Sequence, residues 1–187
     1  DRIAGLASDA GMRLVGPNCM GVVSHVGDGR WLNGSYFWAL PEKAGGLSFV
    51  SQSGAFGGMF FAHLRSSGLG LSRFLSVGNA ADVSVTDALE WLGDDEQTTA
   101  IGMFIEGIHD GRRFVEVARK ITADKPVVVL KAGKMAAGAK AAASHTGSMA
   151  GSHTAVAAGF RRAGIIEAID TEAFFDAMDA AAVGLTN

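Results

Sequence analysis

The stretch Val127-Val128-Val129-Leu130 decides the fold class. It is almost wholly apolar, as expected of a strand that other elements cover on both faces. Such strands belong to parallel sheets flanked by helices, whereas a strand with one solvated face alternates polar and apolar residues. The stretch therefore predicts a buried strand in a parallel sheet.

Short apolar runs of the same kind recur on both sides of this stretch. Between them, apolar residues return at helical spacing, as Val85, Ala88, Leu89 and Leu92 do. Together with the opening stretch, the runs occupy residues 47–50, 74–77, 101–105, 127–130 and 165–166. Five strands that alternate with helices predict an α/β fold with a doubly wound, five-stranded parallel sheet.

The start of the chain has a different organisation. Apolar residues at helical spacing end at Gly11, and the next four residues predict a short strand. We interpret residues 1–24 as the end of a preceding domain. Turn-forming residues predict a linker over 25–45, and the main domain is expected over 46–187.

Composition excludes several classes of function. The net charge is −3 and no basic run carries interleaved aromatic residues, so nucleic acid is not an expected partner. No apolar run approaches the about 18 residues that a membrane span requires. The single cysteine, Cys19, cannot form an internal disulfide, which favours a cytoplasmic location.

Two predicted strand ends carry polar residues of possible function. Ser51-Gln52-Ser53-Gly54 opens directly into a helix, where backbone N–H groups and the positive end of the helix dipole favour a phosphate. A simple capped turn explains Ser53 and Gly54 equally well. Glu106 follows the third strand, either as the partner of a histidine or as an ordinary solvated glutamate.

The longest connection follows the fourth strand and contains His145. A Gly/Ala/Lys run precedes this histidine, and its lysines, Lys131, Lys134 and Lys140, are interpreted as solvating residues. A histidine there can be a covalent catalyst, a metal ligand or a bystander. No Cys, Asp or Glu stands at zinc-like spacing with His145 and His153, so no metal site is predicted.

The chain resembles the α-type part of nucleoside-diphosphate-forming acyl-CoA synthetases, a family that includes succinyl-CoA synthetase and ADP-forming acetyl-CoA synthetase. Six motifs in the family's order carry the resemblance. They are Gly16-Pro-Asn-Cys-Met-Gly21, Val50-Ser-Gln-Ser-Gly54, Val77-Gly-Asn79, Phe104-Ile-Glu-Gly107, Lys125-Pro-Val-Val128, and Ser144-His-Thr-Gly147 with Ala150-Gly151. They span nearly the whole chain.

The resemblance implies a flavodoxin-like domain over 46–187 that carries a phosphorylated histidine. His145 matches that histidine, and Glu106 matches the glutamate that hydrogen-bonds it. The phosphate-binding positions that it implies are Ser53, Gly54, Thr146 and Gly147.

The resemblance also implies partners and substrates. The start of the chain looks like the last helix and strand of a Rossmann-type CoA-binding domain, with Asn18 and Cys19 near the CoA. The complete enzyme is expected to use CoA and ATP/ADP or GTP/GDP with Mg²⁺, none bound tightly by this chain. An ATP-grasp domain or β subunit and a homo- or hetero-oligomer are expected, and this chain alone is expected to be inactive.

One departure bears on the branch of the family. Succinyl-type enzymes typically carry Gly-His-Ala-Gly where this chain has Ser144-His-Thr-Gly147, so the sequence looks closer to the acetyl or acyl branch. Two alternatives remain: the synthetase-like regulatory region of a protein lysine acetyltransferase, and a non-enzymatic flavodoxin-like module that binds FMN.

Overall fold

The computed structural model describes residues 2–37, 39–133 and 153–184. The strands are β1 (Val22–His25), β2 (Trp31–Gly34), β3 (Ala44–Ser51), β4 (Leu71–Ser76), β5 (Ala100–Ile105), β6 (Val127–Lys131) and β7 (Ile166–Ala168). The helices are α1 (Arg2–Asp9), α2 (Gly54–Ser67), α3 (Val85–Asp94), α4 (Gly111–Ile121), α5 (His153–Arg162) and α6 (Thr171–Ala182). Among the described residues, no helix has the length and apolar character needed to cross a membrane.

These strands form one sheet in the order β2-β1-β4-β3-β5-β6-β7. The five strands from β3 to β7 are parallel to one another, which confirms the predicted doubly wound sheet. Their order, β4-β3-β5-β6-β7, is that of flavodoxin-like folds, in which the connections reverse direction between the first and third parallel strands. Here that reversal lies between β3 and β5.

Helices cover both faces of the parallel strands. On one face, α2 and α6 enclose an aromatic core in which the Phe49 ring lies 4.3 Å from that of Phe60 and 5.8 Å from that of Phe174. On the other face, α3, α4 and α5 pack against residues such as Ile101 and Met103 of β5. Burial on both faces explains why the central strands β5 and β6 are almost wholly apolar.

The sheet has two strands more than the five predicted. The additional strands β1 and β2 form an antiparallel hairpin, and β1 also pairs antiparallel with β4. Gly27, Asp28 and Gly29 all have positive φ and form the hairpin tip, so the turn residues that predicted a linker here connect two strands. Within β1, Val23 alone is fully buried, which leaves little apolar signal in the sequence.

The short strand predicted directly after Gly11 is wrong. Instead, Leu14 contacts the loop between β4 and α3: its N–H donates to the Asp82 carboxylate at 2.7 Å, and its carbonyl accepts from the N–H of Val83 at 3.1 Å. The loop between β4 and α3 therefore satisfies the N–H and carbonyl groups of Leu14.

The aromatic core makes Phe49 a strong determinant of stability. Its side chain has 0% exposure, so Phe49→Ala is expected to lower the free energy of unfolding by about 3–5 kcal/mol through lost burial and the cavity left behind. Phe37, which is 72% exposed, provides the matched control, and Phe37→Ala is expected to change stability by no more than about 0.5 kcal/mol. Urea unfolding of the purified protein measures both, and similar losses for the two variants would contradict this account of the core.

Candidate functional site

The reversal between β3 and β5 creates the crevice in which open α/β sheets bind ligands. At the carboxyl end of β3 the chain enters α2, which covers one face, and at the carboxyl end of β5 it leads into α4, which covers the other. Ser53 and Gly54 follow β3, and Glu106 follows β5. The fold thus brings these predicted site residues to one edge of the sheet.

Ser53 caps the start of α2. Its backbone is extended, with φ −100° and ψ 122°, and its side-chain oxygen accepts from the N–H of Phe56 at 3.3 Å. Ser51 closes the turn, because its hydroxyl donates to the Ser53 carbonyl at 2.6 Å and accepts from the Ser53 N–H at 3.1 Å. The first turn of α2 contains no acidic residue, so the positive end of its dipole is not neutralised there.

Gly54 makes a close packing contact with Met20. A Cβ placed on it would lie 2.6 Å from Cγ of Met20, so a larger residue would displace this side chain. The glycine at the start of α2 therefore admits the loop formed by residues 16–21, whether or not an anion binds nearby.

Loop 16–21 is tied to the end of β4. The N–H of Met20 donates to the Ser76 hydroxyl at 2.9 Å, and the Gly21 carbonyl accepts from the Ser76 N–H at the same distance. Gly78 has φ +52°, and a Cβ there would lie 2.3 Å from the Pro17 carbonyl oxygen. This close approach holds the loop against the edge of the sheet.

Asn18 and Cys19, the predicted CoA-proximal residues, lie on this loop. The Asn18 side-chain amide donates to the Asn79 side-chain oxygen at 3.2 Å, and the Asn79 N–H donates to the Pro17 carbonyl at 2.9 Å. Cys19 is half-buried, with Sγ 3.5 Å from the Val15 carbonyl. Both residues thus lie at the edge that carries Ser53 and Glu106.

Glu106 is half-buried and its backbone is held from both sides. Oε1 of Gln52 accepts from the N–H of Glu106 at 2.6 Å and from that of Gly107 at 3.0 Å. On the other side, Nζ of Lys131 donates to the Glu106 carbonyl at 2.7 Å. The main chain of Glu106 is therefore firmly anchored, and whether its side chain partners a histidine stays a prediction.

Gln52 and Lys131 are the residues that the sequence analysis missed at this edge. Lys131 was interpreted as a solvating residue, but it is half-buried, and burial lowers its pKa against the opposing effect of Glu106 and Glu167. Gln52 had a detectable signal, because a long amide stands between the last residue of a buried strand and the cap of the following helix. Its partner on the neighbouring strand could be found only in the folded chain.

A largely apolar cavity of about 300 Å³ adjoins Glu106. It lies between the segment after β5, the end of β6, α4 and α5, with Phe114, Val156 and Phe160 among its apolar lining and Glu106 and Lys131 as its charged lining residues. The carboxylate region of the site is therefore bordered by apolar surface.

The predicted residues His145, Thr146 and Gly147 lie outside the described residues. Their arrangement around Glu106 stays a prediction. Within 2–37, 39–133 and 153–184, no cluster of three or more His, Cys, Asp or Glu residues is placed to hold a metal ion.

Comparison with known proteins adds independent information. Residues 44–181 match the model of the succinyl-CoA ligase like flavodoxin domain. The α subunit of ADP-forming acetate–CoA ligase II from Pyrococcus furiosus is 45% identical over 163 residues, which cover 87% of this chain and 35% of the relative. ADP-forming acetate–CoA ligase I from Archaeoglobus fulgidus is 44% identical over 171 residues, covering 91% of this chain and 24% of the relative.

A solved structure is similar over almost the whole chain. Acetyl-coenzyme A synthetase 1 of Ca. Korarchaeum cryptofilum, in complex with phosphate and ADP, superposes with a TM-score of 0.83 at 33% identity. The match covers 97% of this chain and 39% of the other. This chain thus spans between about a quarter and two fifths of the length of these proteins.

The contact between Asp82 and the segment before loop 16–21 should depend on pH. Hydrogen bonds from the Arg13 side chain and the Leu14 N–H hold the pKa of Asp82 below its ordinary value. The contact is therefore complete above the ordinary aspartate pKa and is lost as pH falls through the lowered one. We expect the Leu14 amide resonance to titrate with a midpoint below that of an unperturbed aspartate.

The matched variants are Asp82→Asn, which removes the titrating group, and Asp94→Asn, on an exposed residue of α3. The first should abolish the titration of the Leu14 amide in NMR spectra, and the second should preserve it. An unchanged titration in Asp82→Asn would contradict the assignment.

Proposed function

Because this chain belongs to the family of succinyl-CoA ligase-like flavodoxin domains, we propose that it is the phosphohistidine-bearing part of an NDP-forming acid–CoA ligase. The reaction interconverts acyl-CoA, phosphate and NDP with carboxylic acid, CoA and NTP. One observation carries the proposal: the start of α2 and Glu106 lie at neighbouring strand ends, where a phosphate and a histidine partner can act together.

The proposed chemistry has three transfers. Phosphate attacks the thioester carbonyl, the C–S bond breaks, and CoA leaves to give an acyl phosphate. A ring nitrogen of His145 then attacks phosphorus, and the P–O bond to the acyl group breaks with release of the carboxylate. Finally, an oxygen of the NDP attacks the phosphohistidine, which yields NTP and the free imidazole.

Each site residue has a role in this scheme. Glu106 accepts a hydrogen bond from the second ring nitrogen of His145, which fixes the tautomer and compensates the positive charge on the ring. The start of α2 at Ser53 and Gly54 holds the phosphoryl oxygens with backbone N–H groups and the helix dipole. We assign Thr146 and Gly147 to the same phosphate.

The remaining chemistry requires further domains. We propose an ATP-grasp domain or β subunit that binds the nucleotide with Mg²⁺, and a CoA-binding domain to which the residues before β1 belong, with Asn18 and Cys19 beside the CoA. The partial coverage of the relatives' length supports this division, as does the exposed apolar surface of Ile3 and Leu6 on α1. Assembly into a homo- or hetero-oligomer would join the parts.

The relatives bear on the substrate. Those described above are named for acetate or acetyl-CoA, which supports a short-chain acid as substrate and ADP as the nucleotide. None of them supports the lysine acetyltransferase alternative. The cytoplasmic location remains a prediction that rests on the single cysteine.

The decisive experiment tests His145. The protein as its natural gene encodes it, purified with any chains that accompany it, is incubated with [γ-³²P]ATP and Mg²⁺. We expect acid-labile, base-stable label on the wild type and none on His145→Ala. His153→Asn controls for loss of a nearby histidine and should keep the label. Label that persists in His145→Ala would contradict the assignment of His145.

Glu106→Gln tests the histidine partner. The substitution preserves the backbone contacts and the size of the side chain but removes its charge, so the developing imidazolium is less well stabilised. We expect histidine phosphorylation to become about 10- to 100-fold slower in rapid-quench experiments, with little change in thermal stability. A rate equal to that of the wild type would remove Glu106 from the mechanism.

A further inference from the structure

We propose that Gln52 and Lys131 are positioning residues that together fix the main chain of Glu106 and so the direction in which its side chain leaves the strand end, and that Gln52 also couples Glu106 to the start of α2. The inference rests on the proposed function, since it assigns to these residues an effect on histidine phosphorylation.

Gln52 continues the pairing of β3 with β5 beyond the point where the β3 backbone turns away. The last paired residues are Ser51 and Phe104, and the N–H of Gln52 still donates to the Phe104 carbonyl at 3.1 Å. Beyond this position the chain bends into the cap of α2 and offers no carbonyl to the next strand. The Gln52 side-chain oxygen replaces that carbonyl and accepts the N–H groups of Glu106 and Gly107.

Lys131 anchors Glu106 in a similar way from β6, the strand on the other side of β5. Ile105 pairs with Lys131, and the Ala132 N–H donates to the Ile105 carbonyl at 2.9 Å. Nζ of Lys131 then bridges the carbonyls of Glu106 and Ala132, at 2.7 and 2.8 Å. Hydrogen bonds from a charged donor are stronger than neutral ones, and partial burial shields this one from water.

These contacts leave Glu106 little main-chain freedom. Gln52, directly after β3, accepts from its N–H, and Lys131 of β6 donates to its carbonyl. Both peptide groups that flank the Cα of Glu106 are therefore fixed. The direction of the Cα–Cβ bond is thereby set. The carboxylate can then meet a histidine ring with a small loss of entropy.

Gln52 also precedes Ser53, the cap of α2. The same residue therefore links the helix start that would hold the phosphate to the strand end that carries Glu106. A movement of one is transmitted to the other. The link limits changes in the separation between Ser53 and the main chain of Glu106.

The competing explanation is that both side chains only satisfy backbone groups and contribute to stability. The chain offers a matched control for each. Nζ of Lys125 donates to the carbonyls of Leu92, Gly93 and Asp95 at 3.2, 2.7 and 2.8 Å, but it precedes β6 and thus lies at the opposite edge of the sheet. The Asn33 side chain binds both the N–H and the carbonyl of Tyr36, each at 2.9 Å, in the hairpin.

The experiment compares Gln52→Met and Lys131→Met with the controls Asn33→Leu and Lys125→Met in the natural protein. Each change removes polar atoms and roughly preserves side-chain length. Single-turnover phosphorylation by ATP and Mg²⁺, the KM for ATP and the melting temperature are measured for all four. We expect both site variants to slow phosphorylation at least about 10-fold with KM within twofold, and the controls to stay within twofold in rate.

Lys131→Arg restores a charged donor and should recover most of the rate. The inference is overturned if the site variants slow phosphorylation no more than controls that melt at similar temperatures. Hydrogen exchange provides a readout that does not depend on the chemistry: Gln52→Met should speed exchange of the Glu106 and Gly107 amides at least about 10-fold.

Failure of the proposed function gives a different result. If wild-type protein acquires no phosphohistidine, the proposed function and the predicted effect on rate both fall. Faster exchange of the two amides would then still establish that Gln52 holds Glu106. Unchanged exchange would overturn that part as well.

Discussion

The parallel pairing of β3 with β5 is the constraint on which the site depends. Both strands are buried on both faces, and the helices that follow them lie on opposite faces of the sheet. The two strands must therefore diverge immediately beyond Ser51 and Phe104. At that point their backbone N–H and carbonyl groups lose their partners on the neighbouring strand. Ser53 caps the helix at one strand end, Gln52 and Lys131 satisfy the backbone groups of Glu106 at the other, and the candidate residues Ser53 and Glu106 lie at the same point.

Much of the fold could be predicted because buried strands and helices have recognisable patterns of apolar residues in the sequence. Each parallel strand contains a short apolar run since helices cover both faces of the sheet, and the helices between the strands keep an apolar stripe. The hairpin could not be predicted in this way. Its strands have mostly half-exposed residues, and the positive-φ residues at its tip are also those of an irregular linker.

The candidate site, too, could be predicted only in part from the sequence. Ser53 and Glu106 could be proposed because each lies just after a strand, and the carboxyl ends of parallel strands share one edge. Gln52 and Lys131 could not be given their roles, because those depend on which strands are neighbours and on side chains that reach across the sheet. His145 was identified from its motif, and its position relative to Glu106 remains a prediction.

The contact between Met20 and Gly54 has a consequence for how the chain can vary. The volume that glycine leaves at the start of α2 is the volume that the methionine side chain occupies. A larger residue at 54 is compatible with this edge only if the residue at 20 becomes smaller or turns away. The two positions, in separate segments, are therefore expected to change together over evolutionary time. Sequence covariation between them would indicate that loop 16–21 packs against the start of α2 in the relatives as well.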